Sequence, residues 1–238
     1  LILVVHETTQ LRRMDSMRRD FISNLSHELR TPVSVIKANS ETLLDGALEN
    51  QKDARIFSKA ILHNADRLST MVTSLIDLSR IEYGELKFIN KNIVLNQIIE
   101  PIVLSYQNKA KKKNINLVFE GQSELAVNSD ATAIERVINN LLDNAFKYSP
   151  SDSTIEIRLN KQGGLARISV IDQGEGITEA DQELVFKRFF RTASARANMQ
   201  KGSGLGLAIV KNLVNNLHGE VGVVSTKESG SEFWFTIP

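Results

Sequence analysis

Two long segments with helical periodicity constrain the fold of this chain most, because each carries one apolar stripe. They cover residues 11–48, with Pro32 inside, and residues 52–82, and Asp45-Gly46 predicts a turn between them. In the second segment apolar residues recur at spacings of four, three, four and three, typical of a packed helical hairpin: Ile61, Ala65, Leu68, Val72 and Leu75. Two such helices cannot enclose a core, whereas two copies of the hairpin form a four-helix bundle. We therefore predict a homodimer through residues 11–85. Because Pro32 removes a backbone donor from the helix, a bend near residues 28–32 is also expected.

One face of the first helix is polar and surrounds a histidine, His27. Residues three and four apart are neighbours on a helix, and those that share this face are Asp20, Ser23, Asn24, Arg30, Thr31 and Ser34. The apolar residues fall on the opposite side, at Ile22, Leu25, Leu29, Val33 and Ile36. His27 is therefore predicted to face water, where an imidazole can titrate, attack or accept a group. The alternative is an ordinary solvated histidine, since most exposed histidines have no chemical role.

After residue 85 the pattern changes to that of a mixed α+β domain. Strand-like segments alternate with helical ones, and Gly163-Gly164 is expected to join an antiparallel pair. The predicted strands are residues 86–89, 115–120, 126–128, 154–159, 166–172, 221–225 and 233–237, and the predicted helices are 97–111 and 134–148. The predicted fold class is therefore α+β, with a helical hairpin followed by an α/β sandwich.

Composition excludes several classes of site and partner. With 29 basic and 28 acidic residues the net charge is +1, so bulk charge predicts no nucleic-acid partner, and the lysines at 109 and 111–113 are interpreted as a solvated helix end. The absence of cysteine excludes disulfides and thiolate metal sites. No apolar run approaches the roughly 20 residues of a membrane helix. Residues 1–5 are predicted to form a strand, and a start without methionine suggests a fragment of a longer protein.

Two glycine-containing motifs are candidate ligand-binding loops. Asp172-Gln-Gly174-Glu-Gly176 follows a predicted strand, and its glycines allow close backbone approach to a ligand, although such a string is more often an ordinary turn. Gly202-Ser-Gly204-Leu205-Gly206 precedes a predicted helix, where exposed N–H groups favour phosphate. The second loop lacks the Lys-Ser/Thr of a P-loop and the third glycine of a dinucleotide fingerprint.

The predicted helix 134–148 carries Asn140 and Asn144 one turn apart, followed by Lys147 and Tyr148. Amide oxygens suit a hard cation such as Mg²⁺, but isolated asparagines in helices are usually only solvated. Phe186-Lys-Arg-Phe-Phe-Arg191 supplies core aromatics, and residues 191–203 lack apolar periodicity, which is typical of a functional or disordered loop.

Together these motifs resemble those of the sensor histidine kinases of two-component systems. Ser26-His27-Glu28-Leu-Arg-Thr31-Pro32 resembles their H box, and the asparagine, aspartate–glycine, phenylalanine and glycine segments resemble, in the family's order, the boxes of GHKL-type ATPases. The resemblance implies a phosphotransfer and dimerisation domain over residues 11–85 and an ATP-binding domain over 86–238. Residues 1–10 are then expected to be the remnant of a PAS-like domain, as in phosphate-regulon sensor kinases.

The resemblance also implies roles for individual residues. His27 would accept the γ-phosphate of ATP and pass it to an aspartate of a response regulator, Glu28 would be the base or orienter of the imidazole, and Thr31 would hold water for dephosphorylating the regulator. Asn144, assisted by Asn140, would bind Mg²⁺. The remaining ATP-binding residues implied are Lys147, Tyr148, Asp172, Gly174, Gly176, Arg191, Gly202, Gly204, Leu205 and Gly206, with residues 191–203 as a lid.

Further expectations concern partners, location and alternatives. The fragment is expected to be cytoplasmic, without direct membrane contact, in a protein anchored in the bacterial inner membrane. Its partners would be a second copy of the chain and a receiver domain. Two other functions are weighed: a non-catalytic dimeric scaffold, and a GHKL ATPase acting as a conformational clamp. The intact motif residues oppose the first, and a histidine in an H box opposes the second.

Overall fold

The computed structural model describes residues 2–121, 124–197 and 202–238, in two compact units that meet between Leu75 and Ile76. The first unit is a helical hairpin. Helix α1 (Ile2–Leu44) leads through a 3₁₀ turn (Ala47–Glu49) into helix α2 (Gln51–Glu82), the last two turns of which belong to the second unit. Gly46 adopts a φ of 122°, which only glycine tolerates without strain, at the predicted turn.

The prediction of a strand over residues 1–5 is wrong for residues 2–5, which form the first turn of α1. Leu1 lies outside the described residues. An apolar, β-branched run favours a strand only where a neighbouring strand pairs with its backbone. In the first turn of a helix the carbonyl groups accept hydrogen bonds from the next turn, so residues 2–5 can extend the helical pattern that follows them without a partner strand.

The contact line of the hairpin differs in part from the prediction. Ile61, Leu68 and Leu75 are half-buried as expected, whereas Ala65 and Val72 are exposed within the single chain. Asn64 and Met71, each one residue before these two, are shielded instead. The reason is that α1 covers only one side of the broad apolar stripe of α2. Exposed apolar side chains remain along both helices, at Ile22, Val33, Ile56, Leu62 and Val72.

The second unit is built on a five-stranded sheet of order β2-β4-β5-β7-β6. Its strands are β2 (Asn116–Gly121), β4 (Thr154–Gln162), β5 (Leu165–Asp172), β6 (Val221–Ser225) and β7 (Ser231–Ile237). Only β2 and β4 are parallel, and the other neighbours are antiparallel. A second, two-stranded sheet pairs β1 (Lys91–Val94) with β3 (Ala126–Ser129). The first strand therefore follows the predicted segment 86–89, which is irregular.

Three helices cover one face of the large sheet: α3 (Leu95–Lys113), α4 (Ala131–Tyr148) and α7 (Gly206–Asn216). Alternate residues of the strands point toward these helices, and the fully buried core includes Ile138, Phe146, Ile157, Ile168 and Phe235. The N-cap of α4 is Asp130, which accepts from the Ala133 N–H at 2.9 Å and from the Ile89 N–H at 2.7 Å. The short helices α5 (Glu179–Gln182) and α6 (Ala193–Ala197) lie between β5 and α7.

The last turns of α2 belong to the second unit through two ion pairs. Arg136 of α4 binds Asp77, and Arg188 binds Glu82. Gly84 then ends the helix with a φ of 67°, and the N–H groups of the two following residues donate to the Arg80 carbonyl. Gly84 is therefore the cap of α2. Over the described ranges, none of the helices combines the length and apolar character needed to cross a membrane.

Candidate functional site

His27 lies on the exposed side of α1, as does the polar face predicted around it, except that the side chain of Asp20 lies outside the described residues. Ser23, Asn24 and Arg30 are exposed, and the Thr31 hydroxyl donates to the His27 carbonyl at 3.3 Å. Pro32 is buried and cannot donate a backbone hydrogen bond, although α1 continues through it. An imidazole in this position is open to an incoming reactant.

Glu28, the next residue, points instead toward α2. Its Oε2 accepts from Nη2 of Arg67 at 3.3 Å, and the two side chains are 28% and 27% exposed, so the pair is partly shielded from water. Sequence analysis did not identify Arg67. A signal was available, because residues 28 and 67 lie almost equally far from the turn at Ala47–Glu49, and an antiparallel hairpin places such residues side by side.

Asn140 and Asn144 lie on one side of α4, apart from its fully buried residues. Asn140 donates from Nδ2 to the Arg136 carbonyl at 2.8 Å, which leaves its Oδ1 available. A methyl group added at Gly206 would lie 3.1 Å from that oxygen, so Asn140 lies against the start of α7. Asn144 follows one turn later and is half-buried.

Asp172 is the last residue of β5 and is 6% exposed. Its Oδ1 accepts from the Gly174 N–H at 2.8 Å. Burial raises the pKa of Asp172 to about 6, although hydrogen bonds from the backbone of Gly174 and Ser231 oppose that rise. The carboxylate is therefore held rigidly in a poorly solvated position, where a specific hydrogen-bond donor would stabilise its charged form.

Glycine is required around Asp172 for steric reasons. A methyl group at Gly174 would lie 2.8 Å from Asp172 Oδ1, and one at Gly176 would lie 2.1 Å from the Thr226 carbonyl. A methyl group added at Gly230 would lie 2.0 Å from the Asp172 carbonyl oxygen. The turn is thus closely packed on both sides.

Lys147 and Tyr148, at the end of α4, connect the helix to both glycine loops. Lys147 Nζ donates to the Tyr148 hydroxyl at 2.7 Å, and a methyl group at Gly202 would lie 2.7 Å from the same Nζ. The Tyr148 carbonyl would lie 3.0 Å from a methyl group at Gly174. Burial raises the pKa of Tyr148, which Arg191 opposes and Glu175 reinforces.

The loop 202–206 is shaped for the start of α7. Gly202 and Gly204 have φ values of 149° and 70°, and Leu205 is fully buried as the anchor of the loop. The Phe189 N–H donates to the Gly204 carbonyl at 2.9 Å, which ties the loop to the aromatic segment. The first N–H groups of a helix have no partner within that helix, and they attract anions.

The segment after Arg191 is partly helical. Arg191 donates to the Ala195 carbonyl at 2.6 Å, and the Ser194 hydroxyl donates to Glu175 at 2.9 Å. Glu175 was also missed by sequence analysis, because its partner lies in another loop. Residues 198–201 of the predicted lid lie outside the described residues.

The residues at the start of α7 fit a phosphate-bound Mg²⁺ better than a cation held by protein alone. Within residues 2–121, 124–197 and 202–238, no three histidine or carboxylate side chains are grouped to hold a metal ion. Instead, the Oδ1 of Asn140 lies near Gly206 and the Nζ of Lys147 lies near Gly202. A neutral amide oxygen and a lysine beside glycines are chemically suited to a cation that is bound mainly by a polyphosphate.

Two family models match the chain. Residues 17–84 match the His Kinase A (phospho-acceptor) domain, and residues 129–238 match the histidine kinase-, DNA gyrase B- and HSP90-like ATPase. The first match contains His27, Glu28 and Thr31, and the second contains both asparagines and both glycine loops.

Curated relatives match along the whole chain. The sensor-like histidine kinase SenX3 of Mycobacterium tuberculosis is 37% identical over 237 residues, which are 100% of this chain and 58% of SenX3. The sensor histidine kinase WalK of Bacillus subtilis is 34% identical over 241 residues, which cover 100% of this chain and 39% of WalK. The chain thus spans between two fifths and three fifths of these relatives.

Solved structures of the histidine kinase ThkA are also similar. In its complex with the response regulator protein TrrA, the match has a TM-score of 0.76 and 26% identity over 95% of this chain and 63% of that one. The catalytic domain of ThkA alone is 30% identical, with a TM-score of 0.55 over 64% of this chain and 97% of that domain. This chain belongs to the sensor histidine kinases of two-component systems and carries the phospho-acceptor and GHKL-type ATPase domains of their kinase core.

Proposed function

We propose that this chain transfers the γ-phosphate of ATP to His27 and then to an aspartate of a response regulator. The observation that carries the proposal is the convergence of α4, the end of β5 and the start of α7 on one site. Asn140 lies against Gly206, Lys147 against Gly202, and Tyr148 beside Gly174. A separate unit of the same chain carries an exposed histidine in a phospho-acceptor domain.

In this proposal the adenine lies against Asp172, which accepts from its exocyclic amine, and Tyr148 packs beside the base. Gly174 and Gly176 provide the close approach that the ring needs. The phosphates lie at the 202–206 loop, where Gly202, Gly204, Leu205 and Gly206 direct backbone groups toward them and Lys147 neutralises charge. Arg191 contributes from the start of the lid.

Mg²⁺ would be held by the amide oxygens of Asn144 and Asn140 together with the phosphates, and it would neutralise charge on them. Asn140 is suited to this role because its nitrogen already donates within α4, which presents its oxygen to the loop.

The attacking group is a neutral imidazole nitrogen of His27 with a free lone pair. The other ring nitrogen must then carry the proton, and a carboxylate beside it fixes that tautomer. We assign this role to Glu28. The new bond joins the imidazole nitrogen to the γ-phosphorus, the bond from that phosphorus to the bridging oxygen breaks, and ADP leaves with the electron pair. Phosphoryl transfer depends mainly on such positioning and on charge neutralisation.

The receiver domain of a response regulator is the proposed second partner, supported by the ThkA–TrrA complex. Thr31, one turn after His27, is proposed to hold a water that dephosphorylates the regulator. A homodimer through residues 11–85 is supported by the phospho-acceptor family model and by the exposed apolar side chains of both helices.

We further propose the domain boundaries 1–10, 11–85 and 86–238, and a relationship to the phosphate-regulon sensor kinases. We also propose that the fragment works at the cytoplasmic side of a protein anchored in the inner membrane.

The proposal is tested by incubating the chain with γ-labelled ATP and Mg²⁺, followed by acid or alkali. We expect a label that is lost in acid and retained in alkali, and transfer of that label to an added receiver domain. Asn144→Ala should lose both nucleotide binding and label. Nucleotide binding without any label would overturn the proposal and favour the scaffold or the conformational clamp.

A further inference from the structure

We propose that Arg67 is a positioning residue for phosphorylation: it holds the Glu28 carboxylate so that one oxygen remains available to the His27 imidazole. This inference rests on the proposed function of His27 and Glu28. It adds a residue from α2, 39 positions along the chain, to the reacting group on α1.

The contact between Arg67 and Glu28 is made through a single oxygen. Nη2 of Arg67 lies 3.3 Å from Oε2 of Glu28, and among the residues that the structure describes no other hydrogen bond to this carboxylate is recorded. A bidentate pair would occupy both oxygens. The one-oxygen contact anchors the side chain and leaves Oε1 for a donor such as an imidazole N–H.

An anchor is needed because Glu28 and His27 are consecutive residues of a helix. Consecutive side chains point about 100° apart on a helix, so their contact is not enforced by the backbone. A free glutamate in water samples many rotamers, and holding it in one of them costs side-chain entropy. The ion pair, with each side chain less than a third exposed, restricts the carboxylate before ATP arrives.

Lysine cannot replace this arginine fully. The guanidinium is planar and projects its donors in a fixed fork, whereas the lysine ammonium is a strongly hydrated point charge on a flexible stem. Arg67→Lys should therefore keep the charge and lose part of the orientation. Arg67→Met should lose both while keeping the apolar length that packs in the hairpin.

The test is autophosphorylation kinetics at varied ATP concentration. We expect Arg67→Met to lower kcat about tenfold, which is less than a general base itself contributes, with an unchanged KM for ATP. Arg67→Lys should fall between wild type and Arg67→Met. The matched control is Arg55→Met, an exposed arginine of the same helix, which should behave as wild type. Thermal unfolding and dimer mass are measured for every variant.

A double-mutant cycle distinguishes positioning from a structural role. If Arg67 acts through Glu28, adding Arg67→Met to Glu28→Gln should cause no further loss of kcat. An equal loss in both backgrounds, a loss in KM alone, or a kcat within about twofold of wild type would overturn the inference. If wild type itself acquires no label, the proposed function fails. If wild type is labelled and Arg67→Met is unchanged, the positioning inference fails alone.

Discussion

The surroundings of His27 and of Asp172 differ in almost every physical respect. His27 lies exposed on a helix, and the half-buried Glu28 beside it forms an ion pair with Arg67. Asp172 is 6% exposed and lies among glycines at which an added methyl group would collide with neighbouring atoms. In the proposed function His27 meets two partners in turn and needs access, whereas Asp172 selects a ligand and needs preorganisation. The predictions below test that contrast, from the largest expected effect to the smallest.

The largest effect is expected from His27→Gln. This change should abolish autophosphorylation and leave nucleotide binding unchanged, because the exposed histidine supports neither packing nor the ATP site. Fluorescent-nucleotide binding and labelling on the same sample measure the two properties. Asn144→Ala is the opposite case and should lose both. Phosphorylation that persists in His27→Gln would contradict the assignment of His27 as the phosphorylated residue.

The next effect tests how closely the turn around Asp172 is packed. Gly230→Ala and Gly164→Ala are matched, because both glycines have a φ of 88° and so both variants carry the same backbone strain. The methyl group added at Gly230 would lie 2.0 Å from the Asp172 carbonyl oxygen, whereas the one added at Gly164 would point into open space. Gly164→Ala should cost about 1 kcal/mol of unfolding free energy.

Gly230→Ala should cost clearly more than Gly164→Ala and should weaken nucleotide binding. Urea unfolding and a binding titration measure both quantities. Equal stabilities for the two variants would mean that the close contact with the Asp172 carbonyl is relieved without cost.

A smaller effect is expected from pH. Because burial raises the pKa of Asp172 to about 6, the folded chain takes up a proton between the ordinary carboxylate range and pH 6. Protonation of Asp172 therefore stabilises the folded chain at low pH, and this contribution to the free energy of unfolding is lost as pH rises through 6. In the proposed binding mode the affinity for nucleotide changes in the opposite direction, because the charged carboxylate is the better acceptor for the adenine amine.

The affinity for ADP should therefore fall as the pH is lowered through 6, by up to about tenfold per unit. The ratio of wild-type to Asp172→Asn affinity removes the titration of the nucleotide itself. Asp143→Asn, at an exposed carboxylate of α4, is the control and should follow wild type. A ratio that does not change between pH 5 and 7 would contradict the role given to Asp172.

The smallest effect is expected from Ser194→Ala. It removes the 2.9 Å hydrogen bond from α6 to Glu175, which joins the proposed lid to the turn after Asp172. A partly exposed hydrogen bond contributes about 1 kcal/mol at most, so nucleotide release should accelerate only a few-fold. Stopped-flow displacement measures the rate, with Ser151→Ala in an exposed turn as the control. A rate unchanged from that control would show that the bond does not hold the lid.

The sequence was sufficient for features that depend on local pattern. It predicted both long helices, most strands of the sheet, the turn at Gly46 and the loops that meet at the end of α4. Periodicity alone could not decide which side of a broad stripe is covered, so Ala65 and Val72 were assigned wrongly within the chain. The strand over residues 2–5 failed because strand formation depends on a partner that a sequence pattern does not show.

Contacts distant in sequence were the other source of error. Arg67 and Glu175 contact Glu28 and Ser194 from other elements, and no local motif marks these two contacts. The close approach of Gly230 to the Asp172 carbonyl also joins two elements, so only the fold shows it. The hairpin register was the one usable signal, and it applies to Arg67 alone.

The most direct test of this account is to locate the phosphate on the labelled chain. The sequence contains four histidines, at positions 6, 27, 63 and 218, and a protease digest under alkaline conditions separates the peptides that carry them. The account predicts that all acid-labile label is found in the peptide containing His27, and that His63→Gln is labelled like wild type. Label in the peptide containing His63 or His218 would contradict it.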